Sequence, residues 1–193
     1  MVPANAPILV TFGDSLTAGY GLAPEESYPS VLQNLLAERG TPYRVINEGV
    51  SGDTTATALA RVDVAATHEA VLAIVAIGAN DGLRGLPVEE MEANLREIVR
   101  RFQFAGHRVA LAGMRIPPNM GPEYVGQFEA VYARVAEDMN VPLLPFLLEG
   151  VAADPDLNQD DGIHPNRRGA RIVAHSVASF VEPLLSEAEM AAE

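Results

Sequence analysis

A serine and a histidine stand far apart in this chain, each in a setting that suits proton transfer. Gly13-Asp14-Ser15 follows an unbroken run, Ile8-Leu9-Val10-Thr11-Phe12, and Asp161-Gly162-Ile163-His164-Pro165 lies near the C-terminus. A serine hydroxyl becomes a nucleophile when a neighbouring base takes its proton and a third group orients that base. His164 has a carboxylate three residues before it, Asp161, and a conformation-fixing proline after it. Asp161 bending back to the Nδ1–H would set the tautomer, leave Nε2 free as a base and stabilise the imidazolium. Gly, Asp and Ser are also ordinary turn residues. Ser15 therefore needs donors elsewhere in the chain to hold a developing oxyanion.

Two further stretches offer such donors. In Asn47-Glu48-Gly49-Val50-Ser51-Gly52-Asp53-Thr54, two glycines let the backbone turn tightly and expose its N–H groups. Gly52 then points an N–H at an oxyanion, closes a tight loop, or helps to cradle a phosphate. The spacing matches neither the P-loop nor the dinucleotide fingerprint. Asp53 is placed to cap the helix that follows. In Ile77-Gly78-Ala79-Asn80-Asp81-Gly82, Asn80 either donates from its side-chain amide or forms an Asn-Asp turn.

Other chemistries fit less well. The chain has four histidines. His68 and His107 sit at helix–strand connections and His175 within an amphipathic helix, positions that suit surface or packing roles. With no cysteine, thiolate catalysis, disulfides and Cys-based zinc sites are excluded. Asp156-x-Asn158-x-Asp160 starts like an EF-hand, but the glycine comes one position late, at Gly162, and Arg167 stands where a bidentate Glu is required. His164 as a lone nitrogen ligand does not make a zinc site. G-x-S-x-G is absent, so a nucleophile elbow is not expected.

The elements that must position these residues are legible as periodicities. Strand-like runs fall at Ile8–Phe12, Tyr43–Asn47, Val71–Gly78, Arg108–Met114 and Val141–Phe146. Helical spacing falls at Tyr28–Arg39, Thr54–Ala66, Val88–Ala105, Tyr124–Met139 and Asn166–Leu185. Strand and helix alternate, which predicts an α/β domain: a five-stranded parallel sheet with helices on both faces and right-handed crossovers. Each candidate group follows a strand, where open parallel sheets place their ligands. With no internal repeat or linker, residues 1–193 read as one domain with a core from about 8 to 185, and 186–193 as an acidic end that frays.

The net charge of −13 argues against nucleic acid, because phosphate binding needs a basic surface. It also suits saline surroundings, where salt screens self-repulsion. No apolar run reaches the roughly 20 residues that span a bilayer, so stable membrane insertion is not expected. The N-terminal MVPANAPILV has neither a basic region nor a long apolar core, and reads as lacking a secretory signal. Nothing in the pattern fixes an oligomeric state.

Gly13-Asp14-Ser15-Leu16, Gly52, Gly78-x-Asn80-Asp81 and Asp161-x-x-His164 occur in order, each after an expected strand. Together they resemble the GDSL or SGNH serine hydrolases, whose four named residues correspond to Ser15, Gly52, Asn80 and His164. The likeness runs from about Ile8 to Leu185. Ser51-Gly52-Asp53-Thr54, Asn80-Asp81-Gly82-Leu83-Arg84-Gly85, Pro142-Leu143-Leu144-Pro145-Phe146 and Asp160–Asn166 are similar to the bacterial arylesterase, acyl-CoA thioesterase and lysophospholipase subgroup.

The resemblance implies a three-layer, flavodoxin-like fold. It implies Ser15, Asp161 and His164 as the catalytic residues, with Ser15, Gly52 and Asn80 forming the oxyanion hole. It implies a small-molecule ester substrate, with no cofactor and no metal. Ala79 departs from the subgroup, which often has a second glycine there, and this bears on the pocket wall. The expected apolar wall comprises Ala79, Leu83, Leu86, Ile116, Pro117, Pro118 and Met120. Export to the periplasm or beyond is implied by the subgroup, with the cytoplasm as the alternative. Two rival readings remain, a carbohydrate O-acetyl esterase of the same family and a flavodoxin-like binding module without chemistry.

Overall fold

A computed structural model describes residues 2–192, with side chains to residue 186. β1 (Ile8–Gly13), β2 (Arg44–Gly49), β3 (Ala70–Ala76), β4 (Arg108–Ala112) and β5 (Leu143–Leu144) form one sheet in the order β2-β1-β3-β4-β5. Every pairing is parallel. The central strands are mostly apolar because both their faces are covered, and the buried Thr11 of β1 donates its hydroxyl to the Ile46 carbonyl at 3.2 Å. Leu9, Val10 and Phe12 of β1 and Ala73, Ile74 and Val75 of β3 are wholly buried.

From β1 the chain crosses outward to β2, then returns past β1 to β3, so the direction of winding reverses between β1 and β3. The helices pack in two groups. α2 (Tyr28–Glu38) packs on α7 (Arg167–Ala192), while α3 (Thr55–Ala65) packs on α5 (Val88–Phe104) and α5 on α6 (Pro122–Met139). The α5 stripe Met91, Leu95, Ile98, Val99 and Phe102 is buried, as its helical spacing requires. This is the flavodoxin-like arrangement that the motifs imply. No helix among the described residues is long and apolar enough to cross a membrane.

Several boundaries differ from the sequence expectation, each for a local reason. The fifth strand shrinks to Leu143–Leu144 because Pro142 and Pro145 flank it, and proline offers no N–H to a ladder. Two short helices stand where turns were expected: α1 (Ser15–Ala18) after β1 and α4 (Ala79–Leu83) after β3. Thr54, not Asp53, caps α3, accepting from the Thr57 N–H. The backbone of α7 continues to Ala192, past the expected end at Leu185. The side chains of 187–193 lie outside the described residues, and with them the expected fraying.

Candidate active site

β1 delivers Ser15 to the C-terminal edge of the sheet, beside the reversal between β1 and β3. Asp14 caps α1 with Oδ1, which accepts the Leu16 N–H at 3.0 Å, so Ser15 opens the helix on a fixed turn. Gly19 ends that helix in the left-handed region, at φ 78°. Ser15 stays half-buried, open to a groove.

His164 reaches Ser15 from the far end of the sequence. Its loop is pinned by backbone bonds from Gln159 N–H to His164 C=O at 2.8 Å and from Asn166 N–H to Leu157 C=O at 2.9 Å. The Gln159 amide also donates to the Tyr20 carbonyl at 2.7 Å, tying this loop to the one after α1. His164 Nε2 lies 2.9 Å from Ser15 Oγ, and Nδ1 lies 2.7 Å from Asp161 Oδ2. Asp161 Oδ1 accepts the N–H groups of Ile163 and His164, each at 3.0 Å. Partial burial would raise the Asp161 carboxyl, but those N–H groups and the His164 ring outweigh it and hold it down at about 2. Tyr20 covers the imidazole, with ring centroids 4.6 Å apart.

The two candidate donor loops close over the same edge. Gly52 sits at φ +88° with open space where a side chain would go, so backbone conformation rather than crowding selects glycine. Its N–H makes no hydrogen bond among the described residues, while its carbonyl accepts from Arg84 at 3.0 Å. Asn80, on α4, donates from Nδ2 to the Asp53 carbonyl at 2.8 Å, which fixes the amide's orientation. Asp81 takes no part in the edge. It is buried, and burial raises its carboxyl although the N–H and hydroxyl of Thr55 bond to it at 2.8 and 2.6 Å. That contact locks α4 to the start of α3.

A model of the GDSL-like lipase/acylhydrolase family matches residues 11–172. The chain belongs to that family. Among its relatives, Esterase TesA of Pseudomonas aeruginosa is 38% identical over 94% of this chain and 91% of its own. The arylesterase of Vibrio mimicus is 40% identical over 88% of this chain and 86% of its own. The crystal structure of the psychrotrophic esterase EstA from Pseudoalteromonas sp., inhibited by monoethylphosphonate, superposes with a TM-score of 0.88 at 34% identity, covering 93% of this chain and 98% of that one. The chain is accordingly a hydrolase acting on esters.

The hydrolase's groove has a volume of about 410 Å³, within the usual range for a small-molecule site. Ala79, Leu83, Ile116, Pro117 and Pro118 line it together with Ser15, Asn80 and His164. Met120 and Leu86 do not. Pro118–Met120 coils into a short 3₁₀ turn that carries Met120 away, to a separate depression beside Tyr124. Leu86 offers its carbonyl to the Tyr124 hydroxyl at 2.7 Å. Leu16, Phe146, Leu148, Ala153 and Ile163 also line the groove, with the charged Arg115 and the polar Asn158 beside them, and none of these was anticipated as lining. Phe146 and Leu148 follow the fifth strand and read as core in sequence. Leu16 and Ile163 adjoin Ser15 and His164 and could have been found from that adjacency.

Proposed function

We propose that this hydrolase cleaves carboxylic esters through an acyl-enzyme on Ser15. The observation that carries this reading is the unbroken hydrogen-bond chain from Asp161 through His164 to Ser15 Oγ. Ser15 Oγ attacks the ester carbonyl carbon while its proton passes to His164 Nε2. The carbonyl oxygen becomes an oxyanion, held by the N–H groups of Ser15 and Gly52 and the side-chain amide of Asn80. The bond to the leaving oxygen breaks as His164 returns the proton to the departing alcohol. Water, deprotonated in turn by His164, then attacks the acyl carbon, and the bond to Ser15 Oγ breaks as His164 returns that proton to it, releasing the acid. Asp161 holds the tautomer that leaves Nε2 free, and its carboxylate balances the imidazolium.

The substrates are aryl esters and short- to medium-chain acyl esters, extending to thioesters and lysophospholipids. The apolar wall of Ile116, Pro117, Pro118, Phe146 and Leu148 supports an acyl or aryl group over a carbohydrate, and so disfavours the O-acetyl sugar reading. The names of the arylesterase and esterase relatives support the same range. We place the activity in the periplasm or outside the cell, a reading supported by the motif resemblance and checked by fractionating the native host. A fluorophosphonate probe should label the protein and fail to label Ser15→Ala. A p-nitrophenyl ester panel, varied in acyl length, should show turnover that Ser15→Ala loses. Turnover largely retained in that variant would refute the assignment.

A further inference from the structure

Three groups proposed to hold the oxyanion come from three strand exits, and one cation bonds directly at two of them. Arg61 lies one helical turn from the end of α3, with its side chain only 21% exposed. It does not line the groove. Its Nε donates to Asp53 Oδ2 at 2.7 Å, and its Nη2 donates to the Gly13 carbonyl at 2.9 Å. Its guanidinium lies 4.3 Å from the centroid of the Phe12 ring, and Nη1 lies 3.9 Å from Glu48 Oε2. One planar fork thus grips the end of β1, two residues before Ser15, and the residue after Gly52.

The third donor is tied in through Asp53. The main-chain carbonyl of Asp53 accepts the Asn80 amide at 2.8 Å, and this bond orients the amide whose second Nδ2 hydrogen is the proposed oxyanion donor. The Asp53 carboxylate is held from the other side by the Thr57 hydroxyl at 2.8 Å. Gly13 C=O also accepts the Val50 N–H at 3.0 Å, so the β1 end and the Gly52 loop already meet there. A planar, stacked guanidinium that donates to two separate acceptors fixes angles as well as distances, which a lysine ammonium does not.

We infer that Arg61 is a positioning residue for the oxyanion hole: through Gly13 and Asp53 it sets the relative placement of the Ser15 N–H, the Gly52 N–H and the Asn80 amide. It touches no reacting atom. The inference rests on the proposed roles of those three donors. A misplacement on the order of 1 Å in such a site costs about 10²-fold in rate. Because the donors act on the oxyanion and not on the ground-state ester, the loss belongs in kcat rather than KM.

The test compares Arg61→Ala, Arg61→Lys and Arg101→Ala, the last removing a surface arginine of α5 that pairs with Glu97 and Asp63. Active sites are first counted by fluorophosphonate titration. Arg61→Ala should lose about 10²-fold in kcat per titrated site with KM within about threefold, and Arg61→Lys about tenfold. Affinity for an arylboronic acid, which forms a tetrahedral adduct on serine, should fall in step with kcat. Arg101→Ala should match the parent. A purely structural arginine would instead lower Tm and the titrated fraction while leaving kcat per site intact, and that result overturns the inference. Should Arg61→Ala not fold, Arg61→Lys and Asp53→Asn carry the same comparison. The two readings separate cleanly: if Ser15→Ala is active, the site assignment fails; if Ser15→Ala is dead and folded Arg61 variants keep kcat, only the role of Arg61 fails.

Discussion

Asp14 shares a peptide bond with the nucleophile, yet its carboxyl is wholly buried and Oδ2 has no partner among the described residues. Burial pushes this acid up to about 7, against an ordinary value of 3.8, although the Leu16 N–H and His164 pull it the other way. The folded protein therefore holds a proton on Asp14 that the unfolded chain gives up above pH 3.8. Stability contributed by that proton is complete below the unfolded value, declines as pH rises from about 4, and is gone above about 7. A shift of this size corresponds to at most about 4 kcal/mol. Asparagine keeps the oxygen that caps α1 and carries no charge. Urea unfolding at pH 5 and pH 8 should show the parent losing stability between the two and Asp14→Asn losing less. Because Asp14 supports the turn and transfers no proton in the proposed mechanism, Asp14→Asn should keep most of its turnover. An unchanged pH slope would remove Asp14 as its source.

At the scale of elements, the junction between β3 and α4 decides where Asn80 stands. Gly78 has φ +121°, and a Cβ there would lie 2.4 Å from the Tyr132 hydroxyl and 2.8 Å from Met91 Cε. That hydroxyl is engaged, donating to the Ile77 carbonyl at 3.0 Å. Gly78→Ala thus meets both crowding and backbone strain, the latter costing about 1–3 kcal/mol. It should lower Tm and cut kcat by displacing Asn80. Tyr132→Phe alone strands a buried carbonyl, at about 1–3 kcal/mol. The double variant removes the clash with the hydroxyl but not the strain, so it should be more stable than the two single losses added together, as a thermal-melt cycle would show. Additive losses would mean the clash plays no part.

The same junction shows what sequence could and could not reveal. Short, mostly apolar runs marked the five strands, whose central members are buried on both faces, and period-3.6 spacing marked the five long helices, where burial repeats along one face. α1 and α4 left no pattern, since a helix of one turn has too few residues to show a period. Asp53 illustrates the other failure: both Asp53 and Thr54 suit an N-cap, and Arg61, two turns along the helix that follows, draws the carboxylate away. Ser15, Gly52, Asn80 and His164 stood out as candidates because four motifs, each ambiguous alone, occur in order at successive strand exits. The groove was half legible, since Phe146 and Leu148 look like any core residue until the chain folds.

The molecule as a whole carries 26 acidic and 13 basic side chains. Pairing every cation would still leave half the carboxylates unopposed, so the folded surface repels itself. Local networks exist, as where Glu92 meets both Arg96 at 2.7 Å and Arg134 at 2.6 Å, but such surface pairs contribute little individually. Salt acts on both terms. At 0.1 M the screening length is about 10 Å and at 1 M about 3 Å. Contact pairs at hydrogen-bond distance survive that screening better than repulsion between carboxylates spread over the surface. Added NaCl should therefore raise Tm between low salt and about 1 M. The proposed reaction should tolerate the same change, because the groove wall is largely apolar, with Arg115 its one arginine, an aryl ester is uncharged, and the contact from Asp161 to His164 is direct, at 2.7 Å. The expected outcome is a rising melting temperature with kcat/KM for a neutral p-nitrophenyl ester largely retained in molar NaCl. Steep loss of activity there, with the fold intact by circular dichroism, would show instead that long-range charge, and not the local triad and groove, governs turnover.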